Sequence, residues 1–149
     1  MNRDQLLARI DAQWRALIDA LAGLPDAVML EQGVVEGWSA KDVIAHVASW
    51  DGEALKALPL IMQSKRPPRY GGVDNFNARR YEANARLSLS EARDALGSTH
   101  QRLLHFLATV PETWFATETR FRHRLRLDTW AHYPEHTQAI LSWRRERGL

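Results

Sequence analysis

Cysteine is absent from the 149 residues. That excludes disulfides, thiolate nucleophiles and cysteine-ligated zinc or iron–sulfur centres, so any thiol chemistry needs a thiol from solution. No uninterrupted apolar run of about twenty residues is present, so no stretch reads as a membrane-spanning helix and a membrane is not an expected partner. The charged, amphipathic start MNRDQLLARIDAQ lacks the basic stub and apolar stretch of a secretory signal, which makes cytoplasm the expected compartment. An excess of one charge is missing too. Twenty Lys and Arg face 18 Asp and Glu, and on that balance nucleic acid is not an expected partner. There is no internal repeat and no low-complexity tract.

What remains is ordinary globular composition, 45% apolar and 26% charged, in a chain long enough to bury one core. A single domain over residues 1–149 is expected. From Gln5 to Leu21, Leu6, Ile10, Trp14, Leu17 and Leu21 recur at three- and four-residue steps, the stripe of a half-buried helix that Gly23 and Pro25 end. Ser39 followed by Asp42 has the form of a cap opening a second helix. This helix runs through Trp50 and Leu55 towards Met62, with Pro59 bending or ending its last turns.

The segment RPPRYGG at 66–72 reads as a connection. Asp74 then caps a short helix containing Phe76 and Tyr81, and Ser88 with Glu91 forms an S-x-x-E box opening a third long helix that ends before Pro111. Between Thr119 and Leu127, arginines alternate with Phe121, His123, Leu125 and Leu127. A period of two predicts an extended segment, whose arginines read as a solvated edge, against a site for an anionic partner or the carboxylate of a substrate. A last helix is expected from Asp128 to Arg147. Four long amphipathic helices and no run of strands give an all-α four-helix bundle, with one short extra helix between helices 2 and 3.

Chemistry concentrates in three histidines. Val43, His46, Val47 and Trp50 follow the i, i+3, i+4, i+7 pattern, so His46 faces the core. His132 and His136 are one turn apart and share a stripe with Ile140 and Trp143. Three neutral imidazoles with an open position are a recurring arrangement for a catalytic divalent metal, here zinc, nickel or iron. Pro134 intervenes between the last two. If the helix starts there, His132 lies outside it and the one-turn spacing does not by itself bring the rings together.

Asp42 and Asp128, each one turn before a histidine, are candidates to accept a ring N–H and fix the tautomer; the competing reading makes both of them caps. Glu135 is the candidate general base, against a solvated position. Tyr133 is a candidate proton donor, against an outward-facing one. Trp50 and Trp130 are candidates for an aromatic pocket wall, against core packing. His100, His105 and His123 have no partner at ligand spacing and read as packing or surface residues.

The segments GWSAKDVIAHVASW at 37–50, DNFNARRY at 74–81 and WAHYPEHTQAI at 130–140 resemble those of the DinB-like superfamily, and in particular its ClbS/DfsB branch of bacterial four-helix bundles. In metal-binding members, one histidine after the W-S motif and two in the last helix hold a divalent ion, and these positions match His46, His132 and His136. The superfamily includes thiol-dependent transferases, and the branch includes a self-protection protein that hydrolyses a reactive cyclopropane. The resemblance therefore implies a metal-dependent hydrolase or transferase, with a low-molecular-weight thiol as co-substrate in the second case. Its substrate would be an electrophilic or strained-ring small molecule. The alternative is a non-catalytic bundle that sequesters a small molecule or pairs as a homodimer, its histidines serving as polar core residues.

Overall fold

The computed structural model describes residues 1–149. Its elements are α1 (Arg3–Ala20), α2 (Asp26–Met29), β1 (Gln32–Val35), β2 (Trp38–Ser39), α3 (Ala40–Met62), α4 (Val73–Asn84) and α5 (Leu89–Ala108). A 3-10 turn (Glu112–Phe115), α6 (Arg120–Asp128) and α7 (Tyr133–Arg147) complete the chain. The long helices α1, α3, α5 and α7 form the bundle: α3 packs on α5, α1 on α7, and α1 also on α5. One contiguous core runs between them, built on fully buried residues such as Leu6 and Ile10 of α1, Val43 and Leu58 of α3, and Leu103 of α5. No helix is long and apolar enough to cross a membrane.

Helix starts follow local chemistry. Asn2 and Gln5, Ser39 and Asp42, and Ser88 and Glu91 each form a reciprocal capping box, in which two otherwise unpaired backbone N–H groups are satisfied. The third of these fixes α5 where the S-x-x-E pattern predicts it. The second decides the role of Asp42. Its carboxylate accepts from both the Ser39 backbone N–H (2.9 Å) and the Ser39 hydroxyl (3.0 Å), so Asp42 is a cap and not an acceptor for the His46 ring. The short helix in the connection is α4, which starts at Val73 after Gly72, with Asp74 in its first turn. Pro59 lies inside α3, and the helix continues past it to Met62.

Two segments differ from expectation. Residues 120–128 are helical, not extended: Thr119 caps Arg122, and the buried positions are Phe121, Leu125 and Asp128, at steps of four and three. The alternation at two-residue spacing belongs to the arginines alone. His123 and Leu127, which a strand would have put on the inner face, are exposed. Second, α6 and α7 are separate helices. The chain breaks at Thr129 (φ −125, ψ −94), and α7 begins at Tyr133 with Pro134 in its first turn, where its missing N–H is harmless. His132 thus sits at the N-cap, outside the helix.

A small antiparallel hairpin was not expected. It pairs Gln32 with Ser39 and Val35 with Trp38 around Gly37, which takes a left-handed φ of 73. Its second strand runs directly into the Ser39 cap, and so sets Trp38 beside the first turns of α3.

Candidate metal centre and cavity

Despite the break before Pro134, the three histidines converge. The His46 Nε2 lies 3.0 Å from the His132 Nε2, which is itself 2.9 Å from the His136 Nε2. One donor atom from each falls within 4.8 Å of the others. The rings meet edge to face, with centroids 4.6–5.0 Å apart. Trp38 closes one side, its ring edge to face with His46 at 5.1 Å while it stacks on Tyr81 at 5.4 Å.

Burial decides the charge of this group. Desolvation, reinforced by the neighbouring His136, lowers the His46 pKa to about 4; desolvation with His136 and His46 lowers that of His132 to about 3. Burial alone brings His136 to about 4. All three are therefore neutral at pH 7 and present lone pairs.

Three Nε2 atoms facing one point cannot satisfy one another, because each neutral ring offers a single N–H. Two nitrogens bound to a common ion at about 2.0–2.1 Å stand roughly 2.8–3.4 Å apart at octahedral or tetrahedral angles, which includes the 3.0 and 2.9 Å spacings of His132 from His46 and from His136. The donor set fits a divalent ion. Its outer support is incomplete: the buried His132 Nδ1 has no partner at hydrogen-bond geometry. The Asp128 main-chain carbonyl opposes the lowering of the His132 pKa only weakly.

These histidines line a cavity of about 580 Å³, a size ordinary for small-molecule sites. Trp50 lines it, packed against Tyr70 (5.2 Å) and Phe76 (4.7 Å), and donates its indole N–H to the Asn77 Oδ1 at 2.8 Å. Glu135 lines it from an exposed position on α7. Asp128 also lines it, but its carboxylate accepts from the Arg124 Nε at 2.7 Å and makes no bond to a histidine ring. Burial raises the Asp128 pKa to about 6 against the pull of Arg124.

Two candidates lie elsewhere. Tyr133 is fully buried, and its hydroxyl donates to the Asp51 Oδ1 at 2.8 Å, so it bridges α7 to α3 and does not face the cavity. Trp130 does not line the cavity either. The break at Thr129 leaves its ring in the core, beneath the guanidinium groups of Arg9 and Arg122 at 5.8 and 5.9 Å.

Sequence reasoning missed Asp51, whose carboxyl is pushed well above the usual range by burial, and the cavity residues Trp38, Tyr70 and Asn77, and it read Arg124 with its neighbours as a solvated edge. Arg124 carried a usable signal: Asp128 stands four residues on, the spacing of a helical ion pair, once the segment is read as helix. Tyr70 lay in a stretch read only as a connection. His100, read as a packing or surface residue, is buried, stacked on Trp14 at 4.1 Å and bonded to Asp11.

The family model described as the DinB superfamily matches residues 9–139. The chain belongs to the DinB superfamily. Among solved structures, this member is similar to the Sibling Lethal Factor precursor DfsB, at 15% identity and a TM-score of 0.83, over 99% of this chain and 97% of DfsB. It is similar to the colibactin self-resistance protein ClbS, solved in complex with a dsDNA, at 12% identity and a TM-score of 0.77, over 93% of each chain. A Streptococcus pneumoniae protein matches at 16% identity and a TM-score of 0.76, over 97% of this chain and 91% of that one. No curated protein matches the sequence significantly. At these identities the likeness establishes the shared fold. It also corrects the exclusion of nucleic acid. ClbS has this fold and is solved with duplex DNA, so a net charge of +2 is no ground for removing nucleic acid from the partners of such a bundle.

Proposed function

We propose that this DinB superfamily member is a metal-dependent hydrolase or transferase that disposes of a reactive, electrophilic or strained-ring small molecule, a self-protection activity. The observation that carries the reading is the meeting of the His46, His132 and His136 Nε2 atoms in the wall of a cavity open to solvent. A divalent ion, zinc, nickel or iron, held there supplies Lewis acidity for polarising the substrate or activating water. Trp38 and Trp50 wall the cavity and give an apolar substrate aromatic faces to lie against. The Glu135 carboxylate, on the cavity wall one residue before His136, accepts the proton of the attacking water or thiol. In the transferase version the thiol comes from solution, because the chain has no cysteine. The likeness to a self-resistance protein supports the self-protection role.

Turnover separates this reading from sequestration. Catalytic amounts of protein are incubated with strained-ring and other electrophilic compounds, with and without glutathione. The reading expects product in excess of protein and loss of turnover in Glu135→Gln with metal content unchanged. Consumption that stops at one equivalent favours a binding bundle instead.

Duplex DNA is a second candidate partner, favoured by the ClbS likeness and by the exposed Arg120 and Arg126 on α6. Gel-shift titrations at low and physiological salt test it: binding that weakens with salt and with Arg120→Ala/Arg126→Ala supports it, and no shift at low salt removes it.

A further inference from the structure

Within the cavity lining, the cluster of Arg124, Tyr70 and Asn77 offers donors and almost no free acceptor. Arg124 lines it with its side chain only 14% exposed. Of the five guanidinium N–H groups, the Nε one goes to Asp128 (2.7 Å) and one on Nη2 to the Tyr70 hydroxyl oxygen (2.9 Å), which leaves three without a protein partner. The Nη1 is not sealed off, since it is not among the buried atoms lacking a partner. Because the Tyr70 oxygen accepts from Arg124, the hydroxyl proton is left to donate. Burial keeps this phenol protonated by raising its pKa. Asn77 has its orientation set by the Trp50 indole N–H on its Oδ1, so its amide NH₂ is the end left unbonded. The carboxylates near this cluster are engaged: that of Asp128 is turned to Arg124, and that of Glu53, close enough to raise the pKa values of Tyr70 and Asp128, pairs with Lys56 at 2.9 Å.

We infer that Arg124, Tyr70 and Asn77 form a recognition pole for a carboxylate on the substrate, whose apolar body lies against Trp50 and whose reacting end meets the three histidines. This deepens the small-molecule reading and rests on it. A planar carboxylate matches the Arg124 fork and has acceptor sites left for the Tyr70 hydroxyl and Asn77 amide. A phosphate dianion suits the pole less well, because Asp128 already balances the Arg124 charge. The rings of Trp50 and Tyr70 hold the guanidinium in place, at 5.9 and 5.5 Å from its central carbon.

The test uses two probes of one shape, phenylacetate and its neutral amide phenylacetamide, titrated into the full-length protein and followed by the Trp50 indole N–H signal in NMR. Phenylacetate is expected to bind at least about tenfold more tightly, the scale of one charge-assisted pair. Tyr70→Phe and Arg124→Lys should each shrink that ratio several-fold. The lysine keeps a cation for buried Asp128 while removing the fork, so the protein remains folded. Equal affinities overturn the inference, as does binding of neither probe. A preference untouched by both variants also overturns it, since the carboxylate then sits at the histidines. Elemental analysis of the same samples separates this inference from the metal reading. Metal-free protein that never loads an ion yet prefers phenylacetate retires the metal and keeps the pole. Metal-loaded protein without the preference does the reverse.

Discussion

His46 and His132 are 86 residues apart in sequence, yet their Nε2 atoms stand 3.0 Å apart. The contact joins the second turn of α3 to the residue capping α7, so it depends on two features of local chemistry. The Ser39–Asp42 box fixes where α3 starts, and Pro134 fixes where α7 starts. His136, one turn inside α7, then reaches the same point.

Asp42 tests the first of these features. Replacing it with alanine removes the carboxylate half of the capping box and should lower stability by about 1 kcal/mol in urea denaturation. Metal content and turnover should stay as in the wild type. A loss of metal affinity without a loss of stability would mean that Asp42 serves a histidine and not the helix end.

Tyr133 is a cross-link between helices. Tyr133→Phe keeps the ring and removes only the donor to Asp51, whose Oδ2 already lacks a partner. The expected result is destabilisation of about 1–3 kcal/mol, the range for an unsatisfied buried polar group, with turnover retained under conditions where the variant is folded. Unchanged stability with abolished turnover would return Tyr133 to the chemistry.

Acid should destabilise the metal-free protein. Near pH 5 the three histidines, lowered to about 3–4 when folded, leave the unfolded chain between two and three protons richer. His100, also lowered by burial, acts in the same direction. Asp128, raised to about 6, and Asp51, raised well above its ordinary value, leave the folded chain two protons richer. Unfolding therefore takes up about one net proton, and stability falls by roughly 1 kcal/mol per pH unit on acidification through this window. Urea titrations of chelator-treated protein at pH 5 and pH 6 check it, and stability that is flat or higher at pH 5 contradicts it.

The bundle was legible because its signals are local. Apolar residues at three- and four-residue steps and the Ser39 and Ser88 boxes needed no tertiary information. The inward direction of His46 followed from the same pattern. What failed was read from the wrong feature. In residues 120–126 the charge alternated, but burial followed Phe121, Leu125 and Asp128 at helical steps, and that stripe is the one that packs α6 on α3. Trp130 and Tyr133 stand beside His132 in sequence, but the backbone turn at Thr129 and the start of α7 turn them into the core. Sequence adjacency says nothing about direction across such a break. Arg124 and Tyr70 meet only through tertiary packing, from a helix and from a connection that carries no periodic signal.

The central claim is that His46, His132 and His136 hold one divalent ion. Its most direct test is elemental analysis of the protein after loading with zinc, nickel or iron(II) and removal of the excess, for the wild type and for a His132→Ala variant shown by circular dichroism to be folded. The account predicts about one ion per chain in the wild type and none retained in the variant. A wild-type chain that retains no ion under any of these loadings, or a variant that holds as much as the wild type, would contradict it.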